Sequence, residues 1–91
     1  MTDTKILIVD DDPNISDLLK MYFENEGYDV KLAADGSEGL NYFKMYEPDL
    51  VLLDIMLPDE DGISIVKKMR EDARLSDVPV ILVTAKGTEI D

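Results

Sequence analysis

The chain has 91 residues, enough for one domain with a modest core, and 45% of them are hydrophobic, which excludes a generally disordered chain. Twenty-one acidic residues against nine basic ones leave a net charge of −12, a surface that repels phosphate backbones and suits divalent cations or basic partners, so direct nucleic-acid binding is not expected. The absence of cysteine and histidine excludes a disulfide scaffold, a thiol nucleophile, a conventional zinc site and a histidine general base, and the lack of a signal pattern or a long apolar run points to a cytoplasmic protein with no membrane contact.

Ile6-Leu7-Ile8-Val9 is a continuous apolar run, the pattern of a strand buried on both faces, and it ends at Asp10-Asp11-Asp12. From Pro13 to about Glu26, Ile15, Leu18, Leu19, Tyr22 and Phe23 recur at helical spacing, which predicts an amphipathic helix stopped near Gly27. Asp12 before Pro13 suits an N-cap followed by proline in the first turn. Tyr28, Val30 and Leu32 alternate with Asp29 and Lys31, as in a half-exposed edge strand. Asp35 with Glu38 forms a capping-box pattern that opens a helix burying Leu40 and Phe43, and Pro48 blocks its continuation. Leu50-Val51-Leu52-Leu53 is a second fully buried strand, and it too runs into an aspartate, Asp54. After a loop from Ile55 to Asp61, with Asp61 as the next cap, a third helix is expected to turn Ile63, Val66 and Met69 inward. Val80-Ile81-Leu82-Val83 predicts a last strand ending at Thr84. The alternation βαβαβαβ implies a doubly wound α/β fold with a parallel sheet.

Parallel strands place their C-terminal ends on one side, so the aspartates after the first and third strands and Thr84-Ala85 after the fourth share one edge. Ligands bind outside that edge where the strand order reverses, which for the order 2-1-3-4 lies between strands one and three. Two carboxylates about 4 Å apart repel by roughly 4 kcal/mol at an effective dielectric of about 20. A magnesium ion, which takes hard oxygen ligands, turns that repulsion into binding. A carboxylate beside such a site can attack phosphorus and form an aspartyl phosphate, and a hydroxyl such as that of Thr84 can donate to the transferred group.

Two rival patterns can be weighed by spacing. Asp10-x-Asp12-x-Asn14 begins like a calcium loop, but Ile15 stands at its glycine and Met21 at its bidentate glutamate. Asp10-x-Asp12 also resembles haloacid-dehalogenase-type phosphatases, with Asp10 as nucleophile, although Pro13 and Asn14 follow in place of the usual glycine and hydroxyl residue. No glycine-rich loop follows either acid-bearing strand, against a dinucleotide fold.

Three segments in order, Ile6 to Asp12, Leu50 to Pro58 with Asp61-Gly62, and Pro79 to Ala85, make the chain resemble a response-regulator receiver domain of two-component signalling. The resemblance implies a flavodoxin-like receiver fold over residues 1–91, with Asp54 accepting a phosphoryl group from a sensor histidine kinase or a phosphotransfer protein. It implies a magnesium site formed by Asp11, Asp10 through water, Asp54 and the backbone carbonyl of Met56. Thr84 would take the switch role and Ala85 would leave room for the phosphate. Receiver domains are phosphoacceptors rather than conventional enzymes. The family's lysine, its aromatic switch residue and its α4-β5-α5 segment would fall beyond residue 91, and Lys86 does not take the lysine's place. A domain C-terminally incomplete in this way is expected to expose the Leu50 to Leu53 side chains and the fourth strand, to have weakened output, and to associate as a homo-oligomer or swapped dimer. An association fragment that is never phosphorylated is one alternative reading, and a haloacid-dehalogenase-like phosphatase with Asp10 as nucleophile is the other.

Overall fold

Short apolar runs separated by capped helices build one twisted sheet, and the computed structural model describes residues 4–83 of it. The strands are β1 (Lys5–Val9), β2 (Asp29–Ala33), β3 (Leu50–Asp54) and β4 (Val80–Val83), and the helices are α1 (Pro13–Asn25), α2 (Gly36–Tyr46) and α3 (Gly62–Arg70). All pairs are parallel, in the order β2-β1-β3-β4, so the order reverses between β1 and β3 as the doubly wound pattern requires.

Side chains alternate across each strand, and both sets are buried in the centre. Leu7, Val9, Val51 and Leu53 pack with Phe43 of α2 and Ile65 and Met69 of α3 on one face. Ile6, Ile8, Val30 and Leu52 pack on the other face, against Leu19 and Phe23 of α1. Two-faced burial is why the β1 and β3 segments are continuous apolar runs. β2 is the half-exposed edge expected from its alternation, with Val30 buried while Asp29 and Lys31 are exposed.

Each helix begins on an aspartate cap. Asp12 accepts from the Asn14 amide, Asp35 from the Glu38 amide and Asp61 from the Ser64 amide. The Glu38 carboxylate accepts from the Ala34 amide, one residue before the cap. α1 stops ahead of Gly27, whose φ of 95° suits glycine, and α2 stops at Glu47, which adopts the left-handed region just before Pro48.

Three expectations need correction. The α1 stripe is rolled: Ser16, Leu19 and Phe23 face the sheet, whereas Leu18 and Tyr22 are 62% and 59% exposed. Helical spacing defined a stripe wider than the line that meets the sheet. In α3 the inward residues are Ile65, Val66 and Met69, while Ile63 is 54% exposed, because the face that carries Ile65 and Met69, four residues apart, is the one packed into the core. Leu50 to Leu53 are not laid open: Val51 and Leu53 lie beneath α2 and α3, Leu52 is buried with Ile6 and Ile8, and only Leu50 is half-buried. The expected exposure is found on β4, where Ile81, Leu82 and Val83 are exposed and β3 is the pairing partner among the described residues.

The roll of α1 can be checked by urea unfolding. Leu19→Ala is expected to cost about 2 kcal/mol by emptying packing space, whereas Leu18→Ala is expected to change stability by less than about 0.5 kcal/mol, as for an exposed position. Equal losses would restore the wider stripe.

Candidate functional site

The register of β1 and β3 sets Val9 beside Leu53, so the next residues on the two strands, Asp10 and Asp54, emerge side by side. The Asp10 amide donates to the Ala33 carbonyl at 3.0 Å, extending the β1–β2 ladder by one residue and fixing where the chain turns away. Carboxylate oxygens of Asp10, Asp11 and Asp54 all lie within 4.8 Å of one another. Asp54 is 8% exposed, Asp10 is half-buried and Asp11 is exposed, so the cluster opens to solvent on the Asp11 side.

Few donors answer this charge. The Asp12 amide donates to Asp10 Oδ1 at 2.9 Å and the Met56 amide to Asp54 Oδ1 at 3.1 Å. Ser16 Oγ donates to the Asp10 backbone carbonyl and leaves its carboxylate free of that bond. None of the ion pairs among the described residues involves the three acids. Burial pushes the Asp10 carboxyl pKa above the ordinary 3.8, the Asp12 amide opposes the rise, and the charges of Asp54, Asp11 and Asp12 add to it. The group that would relieve the crowding is a small, hard cation. An all-oxygen donor set of converging carboxylates fits Mg²⁺, whereas the chain holds no thiolate or imidazole to select a softer metal.

Asp12 stands apart from the three, since its side chain caps α1. Met56 has an exposed side chain, and its backbone is held by a bridge to Asp61 across the loop. The Gly62 amide donates to the Ile55 carbonyl at 2.7 Å, and a Cβ on Gly62 would lie 2.8 Å from the Asp54 carbonyl oxygen, so this turn against β3 requires glycine. Thr84 and Ala85 lie outside the described residues.

Sequence reasoning missed Asp59. Its carboxylate accepts from the Gly36 amide at 2.8 Å and the Ser37 amide at 3.0 Å, tying the loop after Asp54 to the start of α2. The partners are 23 and 22 residues away, so no local pattern could have marked the residue. Its neighbour Glu60 accepts from Lys68 and Ser64 on α3.

Removing one charge from the cluster tests its electrostatics. Asp54→Asn keeps an oxygen for the Met56 amide but deletes a negative neighbour of Asp10, so the Asp10 pKa is expected to fall towards 3.8. NMR titration of side-chain carboxyl carbons in chelator reads this directly, and an unmoved Asp10 would refute the coupling.

A family model described as the response regulator receiver domain matches residues 6–91. The DNA-binding dual master transcriptional regulator RpaA of Synechocystis sp. is 47% identical over 83 residues, which are 91% of this chain and 34% of that protein. The chain therefore spans about a third of that curated relative's length. Among solved structures, the chemotaxis response regulator CheY4 of Vibrio cholerae matches with a TM-score of 0.90 at 29% identity, over 96% of this chain and 72% of that one. The response regulator protein TrrA of Thermotoga maritima, in complex with Mg²⁺-BeF, matches with a TM-score of 0.84 at 39% identity, over 92% of this chain and 71% of that one.

Proposed function

The chain belongs to the response regulator receiver domain family, and on that footing we propose that Asp54 is its phosphoryl acceptor. The carrying observation is the convergence of Asp10, Asp11 and Asp54 at the point where strand order reverses. In this reading the donor is a phosphohistidine of a sensor histidine kinase or phosphotransfer protein, the partners that membership of the receiver family implies. An Asp54 carboxylate oxygen forms the new bond to phosphorus. The bond from phosphorus to the donor's imidazole nitrogen breaks, and its electron pair leaves with that nitrogen.

Asp11, Asp10 through water, Asp54 and the Met56 carbonyl are the proposed ligands of Mg²⁺, and the complex of TrrA with Mg²⁺-BeF supports that choice. When bound, the ion supplies charge neutralisation for the transferring group's oxygens. The residues do the placing. The Met56 amide holds Asp54 Oδ1, so the carboxylate presents a constant face, and the Asp12 amide does the same for Asp10. Thr84 is read as donating its hydroxyl to a phosphoryl oxygen after transfer, with Ala85 leaving space. Residues 1–91 are read as receiver-domain sequence that holds the acid site.

Incubation with acetyl phosphate and Mg²⁺, followed by mass spectrometry of the whole chain and its peptides, tests this. One phosphoryl group is expected on Asp54, lost in chelator and in Asp54→Asn. Asp11→Asn is expected to weaken Mg²⁺ binding by at least about tenfold, the scale set by disturbing even outer ligands. Label on Asp10 would favour the aspartyl-nucleophile phosphatase, and a folded chain without label would favour the association fragment.

The open edge of β4 supports a second property, association between copies of the chain, because its exposed apolar residues flank unpaired backbone groups among the described residues. Light scattering coupled to size exclusion is expected to show mass rising with concentration. A constant monomer mass would end this proposal and leave the acceptor role untouched.

A further inference from the structure

A circuit of hydrogen bonds runs around the acid site, and one exposed side chain closes it. Asp10 is anchored to Ala33 at the end of β2, and three residues later the chain starts α2 at Gly36. The Gly36 and Ser37 amides are orphan donors of that first turn, and both are taken by Asp59. From Asp59 the chain runs back through the loop to Met56, whose amide holds Asp54. The β1–β3 pairing completes the ring between Asp54 and Asp10.

We infer that Asp59 is a positioning residue for the metal site, a strap from α2 that fixes the loop bearing Met56. This rests on the reading of Asp10, Asp11, Asp54 and Met56 as the Mg²⁺ ligands. The approach of loop and helix is close: a Cβ on Gly36 would lie 3.1 Å from Asp59 Oδ1 and 2.5 Å from Ile65 Cδ1, the latter a buried side chain. The Gly36 amide first, and the Ser37 amide after it, hold the Asp59 carboxyl below the usual carboxylate range, so the strap stays charged in neutral solution. Its neighbours in the loop are engaged elsewhere, Glu60 with Lys68 and Ser64 on α3 and Asp61 with the Ser64 amide. Asp59 alone among these three acids reaches α2. Freed of it, the loop keeps its α3 anchors but loses the one that ties it to the β2 end of the site. The Met56 carbonyl then samples more positions, and the cation is held less tightly.

Calorimetric titration with Mg²⁺ of wild type, Asp59→Ala and Asp59→Asn tests the strap, with Glu60→Ala as the control that leaves α2 contacts intact. Asp59→Ala is expected to raise the Mg²⁺ dissociation constant about tenfold, in the range typical of groups that support metal ligands. Asp59→Asn, with one acceptor oxygen left, falls between, and Glu60→Ala stays within threefold of wild type. Without any metal, amide hydrogen exchange is expected to speed up at Gly36, Ser37 and Met56 in Asp59→Ala. Labelling of Asp54 by acetyl phosphate should fall at low Mg²⁺ and recover at saturating Mg²⁺ in a chain that circular dichroism shows to be folded before the ion is added, which separates the strap from general destabilisation. A folded Asp59→Ala chain with Mg²⁺ affinity within threefold of wild type overturns the inference. If circular dichroism shows that Asp59→Ala does not fold, Asp59→Asn is judged instead, and a Mg²⁺ affinity and Met56 amide exchange indistinguishable from wild type overturn the inference. Should the wild type take no label on Asp54, the acceptor reading falls, while the Mg²⁺ affinities still decide the role of Asp59.

Discussion

Parallel pairing of β1 with β3 carries two chains out of the same sheet edge at adjacent points, and each leaves on an aspartate. β2 lies on the far side of β1, so the connecting helices diverge to opposite faces and leave a crevice at that edge. Everything chemical about the molecule depends on this pairing. The apolar residues of the two strands bury both faces of the sheet, and that burial holds Asp10 and Asp54 in a proximity their charges oppose.

The opposition is visible in the site itself. Asp10 is pushed towards protonation by burial and by its acidic neighbours, with a single backbone amide against them. A folded protein tolerates such a cluster where a ligand or a reaction gives it a use, and perturbed carboxylates in a cleft are common at functional sites. The core supplies the stability that the cluster withdraws. Asp11, facing solvent, contributes charge with the least desolvation, and so suits a role that involves exchange with the medium.

The surrounding turns convert a crowded edge into a defined one. Three aspartates open helices as N-caps rather than serving as site acids, which keeps the local backbone from fraying. Gly62 lets α3 start hard against β3, and Asp59 joins the same loop to α2. The acid site is thus set by neighbours on both sides of the strand-order reversal. The β4 edge has no comparable covering among the described residues and exposes apolar side chains there.

Elements and their order were legible in the residues alone, because burial on two faces, helix capping and strand alternation each leave a local pattern. The convergence of Asp10, Asp11 and Asp54 followed as well, since parallel strands with one reversal allow a single crevice. Local pattern could not determine the roll of a helix: Leu18 and Leu19 are equally apolar, and only contact with the sheet distinguishes them. Ile63 and Ile65 differ in the same way: Ile65 packs in the core with Phe43 and Leu53, whereas Ile63 is exposed. Asp59 is the clearest case, an acid among acids in a loop, whose role is defined by amides more than twenty residues distant. Residue type and spacing record what a segment must bury or cap, whereas partners remote in sequence are assigned only when the sheet closes and brings them into range.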